Sequence, residues 1–208
     1  MKDSTKAIFE ELFQRHPALE PCRADVDAAF DTLLAAYEKG GKVLVCGNGG
    51  SAADAEHVVG ELMKKFRRRR PLPPSVAAAL RPELAAKLEG ALPAVSLVSM
   101  SGLLTAFAND VAWETAFAQQ VLGLARPGDV LIALSTSGES ANCVAAAEVM
   151  RAMGGKSIAL TGAKESGLSK ASDVAIRAPE TETYKVQELH LPIYHALCAM
   201  VEEELAEP

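Results

Sequence analysis

The 208-residue chain is 49% hydrophobic with a net charge of −6, which supplies one sizeable core and the wrong sign for general affinity to nucleic acid. Its cysteines, Cys22, Cys46, Cys143 and Cys198, are too widely spread for a disulfide framework or a C-x-x-C site, which predicts reduced thiols and a cytoplasmic protein. No apolar run approaches the roughly 20 residues of a membrane span, and Met1-Lys2-Asp3-Ser4 starts no signal peptide.

Residues Thr5–Arg15 and Arg23–Glu38 read as two amphipathic helices; in the second, Val26, Ala29, Phe30, Leu33, Leu34 and Tyr37 recur at helical spacing. Gly40-Gly41 ends that helix, and Lys42–Cys46 reads as the first buried strand. Gly47-Asn48-Gly49-Gly50-Ser51 then turns the chain into a helix from Ala52 to about Phe66. Lys64-Lys65, Arg67-Arg68-Arg69-Arg70 and Pro71, Pro73 and Pro74 close it. The stretch 67–92 reads as an insertion within the domain, too short for a core of its own, with a short helical piece over Pro82–Glu89. Pro93–Val98 is the second strand. A helical segment from Gly102 breaks around Asn109-Asp110 and resumes over Ala112–Ala125. Val130–Leu134 is the third strand, Ala141–Met153 a helix, Ser157–Leu160 and Val174–Ile176 the fourth and fifth strands, and Lys185–Leu205 the last helix. Strands alternating with helices predict a three-layer, doubly wound α/β sandwich around a five-stranded parallel sheet, with helices added over residues 1–40 and residues 1–208 forming one domain.

Ligands of such sheets sit at the carboxyl ends of strands. Two loops fall there. Gly47–Ser51 is a strand, glycine-rich turn and helix N-terminus in series, which suits a phosphate; its glycine pattern fits neither the dinucleotide fingerprint nor a P-loop. Ser135-Thr136-Ser137-Gly138-Glu139-Ser140 places four hydroxyls between a strand and a helix. Phosphate binding is one reading of that cluster; an ordinary helix cap with surface serines is the other. His57 and Glu61, four apart, share one helix face beside the first loop, although a solvated pair would have the same spacing. The last helix brings Gln187, Glu188, His190 and His195. Imidazole suits proton transfer near neutrality and zinc ligation, while a lone histidine on an apolar helix is more often a satisfied core residue, which is the reading for His190. Cys46 reads as strand filling and the arginine run as a solvated face, with attraction of an anionic substrate as its other use.

In order, Cys46-Gly47-Asn48-Gly49-Gly50-Ser51, Asp54, His57, Glu61-Leu62, Ala108-Asn109-Asp110, Ser135-Thr136-Ser137-Gly138-x-Ser140-x-Asn142, Leu160-Thr161-Gly162, Gln187-Glu188-x-His190 and His195 resemble the phosphoheptose isomerases, sedoheptulose-7-phosphate isomerases of the flavodoxin-like SIS (sugar isomerase) fold. The resemblance covers nearly the whole chain. It implies that Ser51, Ser135, Thr136, Ser137 and Ser140 hold the sugar phosphate. Asn48, Gly49, Gly50, Asn109, Asp110 and Gln187 would line the sugar chain. Glu61 would be the catalytic base and His195 its acid/base partner. It also implies zinc held by His57, Glu61, Gln187 and His195, and a homotetramer with shared active sites. The chain departs from the family at Ala52-Ala53, where polar residues are frequent, at Lys65, where arginine is frequent, and in the length of the passage from Arg70 to Leu92.

The implied reaction converts sedoheptulose 7-phosphate to D-glycero-D-manno-heptose 7-phosphate through an enediol, with a carboxylate moving the carbon-bound proton and an imidazole serving the oxygens. Burial beside apolar helix surface is expected to raise the basicity of Glu61. Non-catalytic SIS proteins form the alternative: a sugar-phosphate binder, or a module for a protein partner such as a replication initiator. Retention of Glu61 and His195 favours the enzyme, with a small sugar phosphate as its partner and neither nucleic acid nor membrane. Gln187 and His195 lie about 12 Å apart along a continuous helix at ~1.5 Å rise per residue. That separation strains a shared zinc, so either the helix begins after Gln187 or the two residues serve one site from different chains.

Overall fold

A computed structural model of the chain describes residues 1–206. Helices α1 (Asp3–Arg15) and α2 (Arg23–Glu38) precede β1 (Val43–Gly47). There follow α3 (Gly50–Met63), the short α4 (Pro74–Ala79) and α5 (Pro82–Ala85), and β2 (Ala94–Ser96). Next come α6 (Ser101–Asp110), α7 (Ala116–Leu124), β3 (Val130–Leu134), α8 (Ala141–Ala152), β4 (Lys156–Thr161), α9 (Gly167–Ala171), β5 (Val174–Arg177) and α10 (Thr183–Leu205).

The five strands are parallel, in the order β2-β1-β3-β4-β5, the doubly wound order the alternating elements predict. Every residue of β1 and β3 is buried, because helices cover both faces and such strands read as unbroken apolar runs. Period-2 alternation sorts their side chains. Val43, Val45 and Ile132 enter the core under α1, α2, α3 and α10. Leu44, Cys46 and Ala133 enter the one under α6, α7 and α8. The chain leaves β1 for β2 on one side and then returns to β3 on the other. Strand order therefore reverses between β1 and β3, and a crevice opens at their carboxyl ends. Gly47 pairs with Leu134 across that point, which sets the loops after β1 and β3 side by side.

Helix α3 stops at Met63, three residues short of the expected Phe66. Its end is decided by a distant carboxylate. Glu202 on α10 accepts the backbone N–H groups of Phe66 (2.9 Å), Arg67 (2.6 Å) and Arg68 (2.9 Å), so the chain leaves the helix to reach it. Arg70 adds a fourth bond to Glu202 at 2.6 Å and donates to the carbonyls of Leu62 (2.7 Å), Lys64 (2.5 Å) and Gly90 (2.8 Å). Its side chain is 9% exposed and that of Glu202 1%. Three of the four arginines are solvated as the sequence suggests, but Arg70 is core and the solvated reading is corrected there. Beyond it the segment is pinched at its base, Gly90 N–H bonding Arg70 carbonyl at 2.9 Å. Neither α4 nor α5 buries a residue, and α5 is shorter than the expected Pro82–Glu89. Elsewhere, α7 begins at Ala116 after a 3-10 turn over Trp113–Thr115 rather than at Ala112.

Removing one partner of a buried hydrogen-bonded pair costs about 3–5 kcal/mol, whereas shortening a surface loop changes closure entropy by well under about 1 kcal/mol. Glu202→Ala should therefore lose about 3–5 kcal/mol in urea unfolding, and replacing residues 72–89 with a short glycine–serine linker should stay within about 1 kcal/mol of the parent. Equal losses in the two proteins would show the tip to be part of the core.

Candidate functional site

Both candidate loops close against the crevice. Gly49 adopts φ +58° and Gly138 φ +71°, a left-handed region that favours glycine; a Cβ on Gly138 would also collide with Ser166. The loops are tied together by two reciprocal amide bonds between Asn48 and Asn142, each 2.9 Å. Ser51 and Ser135 are buried, Thr136 and Ser140 half-buried and Ser137 exposed. Ser140 holds the N-cap position of α8 but makes no cap bond; its hydroxyl meets Ser135 Oγ at 2.9 Å. The plain helix-cap reading of this cluster is therefore not realised. The first turn of α8 is left without a side-chain acceptor, with its positive dipole end at the crevice.

The second half of the site stands where α10 packs on α3. Gln187, Tyr194 and His195 face Gly50, Asp54, His57 and Glu61. His57 Nε2 lies 3.2 Å from Glu61 Oε1 and 3.4 Å from His195 Nε2. Tyr194 Oη donates to Asp54 Oδ1 at 3.1 Å and lies 3.1 Å from His57 Nδ1. Gln187 Nε2 donates to the other Asp54 oxygen at 3.3 Å, and a Cβ on Gly50 would overlap the Gln187 amide. Helix α10 is continuous through Gln187 and His195, so the option of a helix starting after Gln187 is excluded. The two residues meet different turns of α3.

Glu61 corrects one expectation. Burial does push its pKa up, but the Lys64 ammonium, 2.7 Å from Oε2, and His57 outweigh burial and hold it below the usual carboxylate range. Burial first, and the facing His57 second, hold His195 below the ordinary histidine value. These shifts favour Glu61 as a carboxylate and His195 as a neutral imidazole, on either side of His57, two groups able to take and return protons. His190 is fully buried with Nε2 3.2 Å from the Thr161 carbonyl, but its buried Nδ1 has no hydrogen-bond partner, so the reading as a satisfied core residue holds for one ring nitrogen only. Asn109 and Asp110 end α6, exposed and bonded to each other at 2.9 Å, and hydrogen-bond to none of the other candidate residues.

Among the described residues, no group of three or more His, Cys, Asp and Glu side chains is arranged to hold a metal ion. Donors of the right chemistry do meet in pairs at His57, but Gln187 is turned to Asp54. Asp54, Lys64 and Tyr194 had no role assigned from sequence. The signal for the first two was spacing: Asp54 and Lys64 lie three residues from His57 and Glu61, on the same face. Tyr194 was hidden in an apolar run. A groove of about 460 Å³ opens on the outer side of His195, between α1 and α10, with Leu12, Phe66 and Leu191 in its walls and no residue of the serine loop. No helix among the described residues is long and apolar enough to cross a membrane.

Residues 100–201 match the SIS domain family, and residues 16–91 match a second family model of the same description. The chain is 36% identical over 205 residues to a phosphoheptose isomerase of Rhodospirillum rubrum, covering 99% of each chain. Its fold is similar to that of a phosphoheptose isomerase from Neisseria gonorrhoeae, with TM-score 0.75, 30% identity and 97% and 98% of the two chains covered. A phosphoheptose isomerase from Francisella tularensis superposes with TM-score 0.77 at 29% identity, over 98% of this chain and 100% of that one.

The lowered Glu61 pKa gives a sign. A depressed carboxylate stabilises the fold above its unfolded pKa, and that contribution is lost as pH falls through the folded value. Lys64→Met should raise the Glu61 pKa, followed by carboxyl ¹³C titration of chelator-treated protein, and shrink the loss of stability between neutral and acid pH. A Glu61 titration that does not move would remove Lys64 as the cause.

Proposed function

The chain belongs to the SIS-domain phosphoheptose isomerases, and from that premise we propose that it is an aldose–ketose isomerase converting sedoheptulose 7-phosphate to D-glycero-D-manno-heptose 7-phosphate. The observation that carries the reading is the cluster of Glu61, His57 and His195 on the same pair of helices that leads out of the phosphate-type crevice. The phosphate lies at Ser135, Thr136, Ser137 and Ser140 with Ser51, against the uncapped start of α8. Asn48, Gly49, Gly50 and Gln187 face the sugar chain, with Asn109 and Asp110 completing its surroundings. Fixing the phosphate converts proton transfer at the far end of the sugar into an intramolecular event. Glu61 takes the proton from C1 of the ketose, leaving an enediol, and returns it to C2, while His195 exchanges protons with the O1 and O2 oxygens. The non-catalytic alternative finds no support in relatives that match this chain end to end and are named isomerases.

Zinc is part of the proposal. His57, Glu61 and His195 offer the nitrogen and oxygen donors it takes, and Gln187 joins them only by leaving Asp54. When bound, the ion would polarise a substrate oxygen. The cytoplasm is the proposed compartment. A homotetramer with shared sites is proposed on two supports. Gln187 and His195 meet different turns of α3, and the groove beside His195 leaves its outer side open for residues of another subunit.

Glu61→Gln should retain binding of the sugar phosphate and lose roughly 100-fold or more in turnover of sedoheptulose 7-phosphate; unchanged turnover removes Glu61 as the base. For the shared site, inactive Glu61→Gln and His195→Ala proteins are mixed after dissociation and reassembled. Recovered activity is the expected result, and a fully active monomer in sedimentation ends that part of the proposal.

A further inference from the structure

We propose that Tyr194 and Asp54 form a positioning pair that fixes which nitrogen of His57 carries the hydrogen. The argument starts from what each group can donate. An Asp carboxylate only accepts, and a phenol has one hydrogen to give. Tyr194 Oη lies 3.1 Å from Asp54 Oδ1 and 3.1 Å from His57 Nδ1. The single phenolic hydrogen goes to Asp54, so the bond to His57 is made with a hydrogen from the ring: Nδ1–H donates and Tyr194 Oη accepts. Gln187 Nε2 occupies the second Asp54 oxygen at 3.3 Å, which holds the carboxylate in this orientation. Tyr194 is 1% exposed, so water offers the phenol no competing partner.

The consequence lies on the other side of the ring. With Nδ1 committed, Nε2 presents its lone pair to Glu61 Oε1 at 3.2 Å and to His195 Nε2 at 3.4 Å. In the neutral ring the lone pair of His57 Nε2 then faces the Glu61 Oε1 carboxylate oxygen across 3.2 Å, an arrangement that a cation between them would complete. The pair thus sets His57 to receive a cation at the point where the chemistry is proposed. Orientation of a ring nitrogen by a partner on its far side is worth about 10–100-fold in affinity or activity where such partners have been removed. The hydrogen's location on His57 is independent of the proposed isomerase activity; the turnover effect rests on that reading.

The test uses the full chain labelled with ¹⁵N-histidine and treated with chelator. The chain has four histidines, and the His57 ring signals are assigned by their loss in His57→Gln. In the neutral ring, wild-type protein is expected to carry its hydrogen on Nδ1, with Nε2 bare. Asp54→Ala frees the phenolic hydrogen to donate to Nδ1, and the ring hydrogen should move to Nε2. A wild-type His57 with its hydrogen on Nε2, or an Asp54→Ala protein with the wild-type pattern, overturns the proposal. Tyr194→Phe keeps the packed ring and should lower kcat about 10-fold or more with KM unchanged; an unaltered kcat overturns the role in turnover. A chain with the expected ring pattern but no activity on sedoheptulose 7-phosphate supports the pair and counts against the activity reading alone.

Discussion

The site depends on how α10 is held along α3. Contacts between the two helices climb in step. Gly50 and Asp54 meet Gln187, Asp54 and His57 meet Tyr194, His57 meets His195, and the chain just past α3 meets Glu202. Rising residue numbers on one helix match rising numbers on the other, so the two run in the same direction. Equal rise per residue then keeps the ladder in register over several turns. Its far end is fixed by the buried Glu202, which takes three backbone N–H groups and one guanidinium. A carboxylate left there without those donors would be a buried unpaired charge. The register that brings His195 to His57 is therefore maintained by groups that never meet a substrate.

Within that frame, two effects oppose each other at Glu61. Partial burial favours the neutral acid, and the Lys64 ammonium with His57 favours the carboxylate and wins. The result is a group that is ionised at neutral pH at the expense of some basicity. The ammonium that tips the balance is itself 58% exposed, on the weak side of ion pairs. The lowering of the Glu61 pKa is thus due mainly to a solvent-facing residue, whereas the orientation of its neighbour His57 is set by Tyr194, in the core.

Much of this was legible in the sequence, for identifiable reasons. Strands covered on both faces leave unbroken apolar runs, so β1 and β3 could be read nearly residue for residue, and the alternation with helices carried the topology. The crevice loops announced themselves through glycine and hydroxyl composition at strand ends. Helix ends did not, because they answer to distant partners: α3 stops at Met63 for a carboxylate more than 130 residues away. Arg70 looks like its three neighbours in a run of four, and only the position of Glu202 separates the buried member from the solvated ones. Tyr194 sits among Leu191, Ile193 and Leu197, where an aromatic ring reads as packing. Its ring does pack, and its hydroxyl alone carries the polar role.

The two halves of the site are joined by covalent continuity and by the contact of Gln187 with Gly50. Asn48 and Asn142 lock the loops after β1 and β3 to each other, and the first of those loops runs directly into α3. A displacement of the phosphate-type crevice is therefore transmitted along a rigid helix to His57 and Glu61. Gly50 is the point of closest approach. Its missing side chain lets Gln187 lie against the start of α3, and Gln187 in turn holds the Asp54 carboxylate on which the Tyr194 bond depends. A methyl group at residue 50 would move Gln187 first, then Asp54, and so disturb the imidazole two turns away without touching it. The glycine next to the crevice and the tyrosine in the core thus belong to one chain of positional constraint.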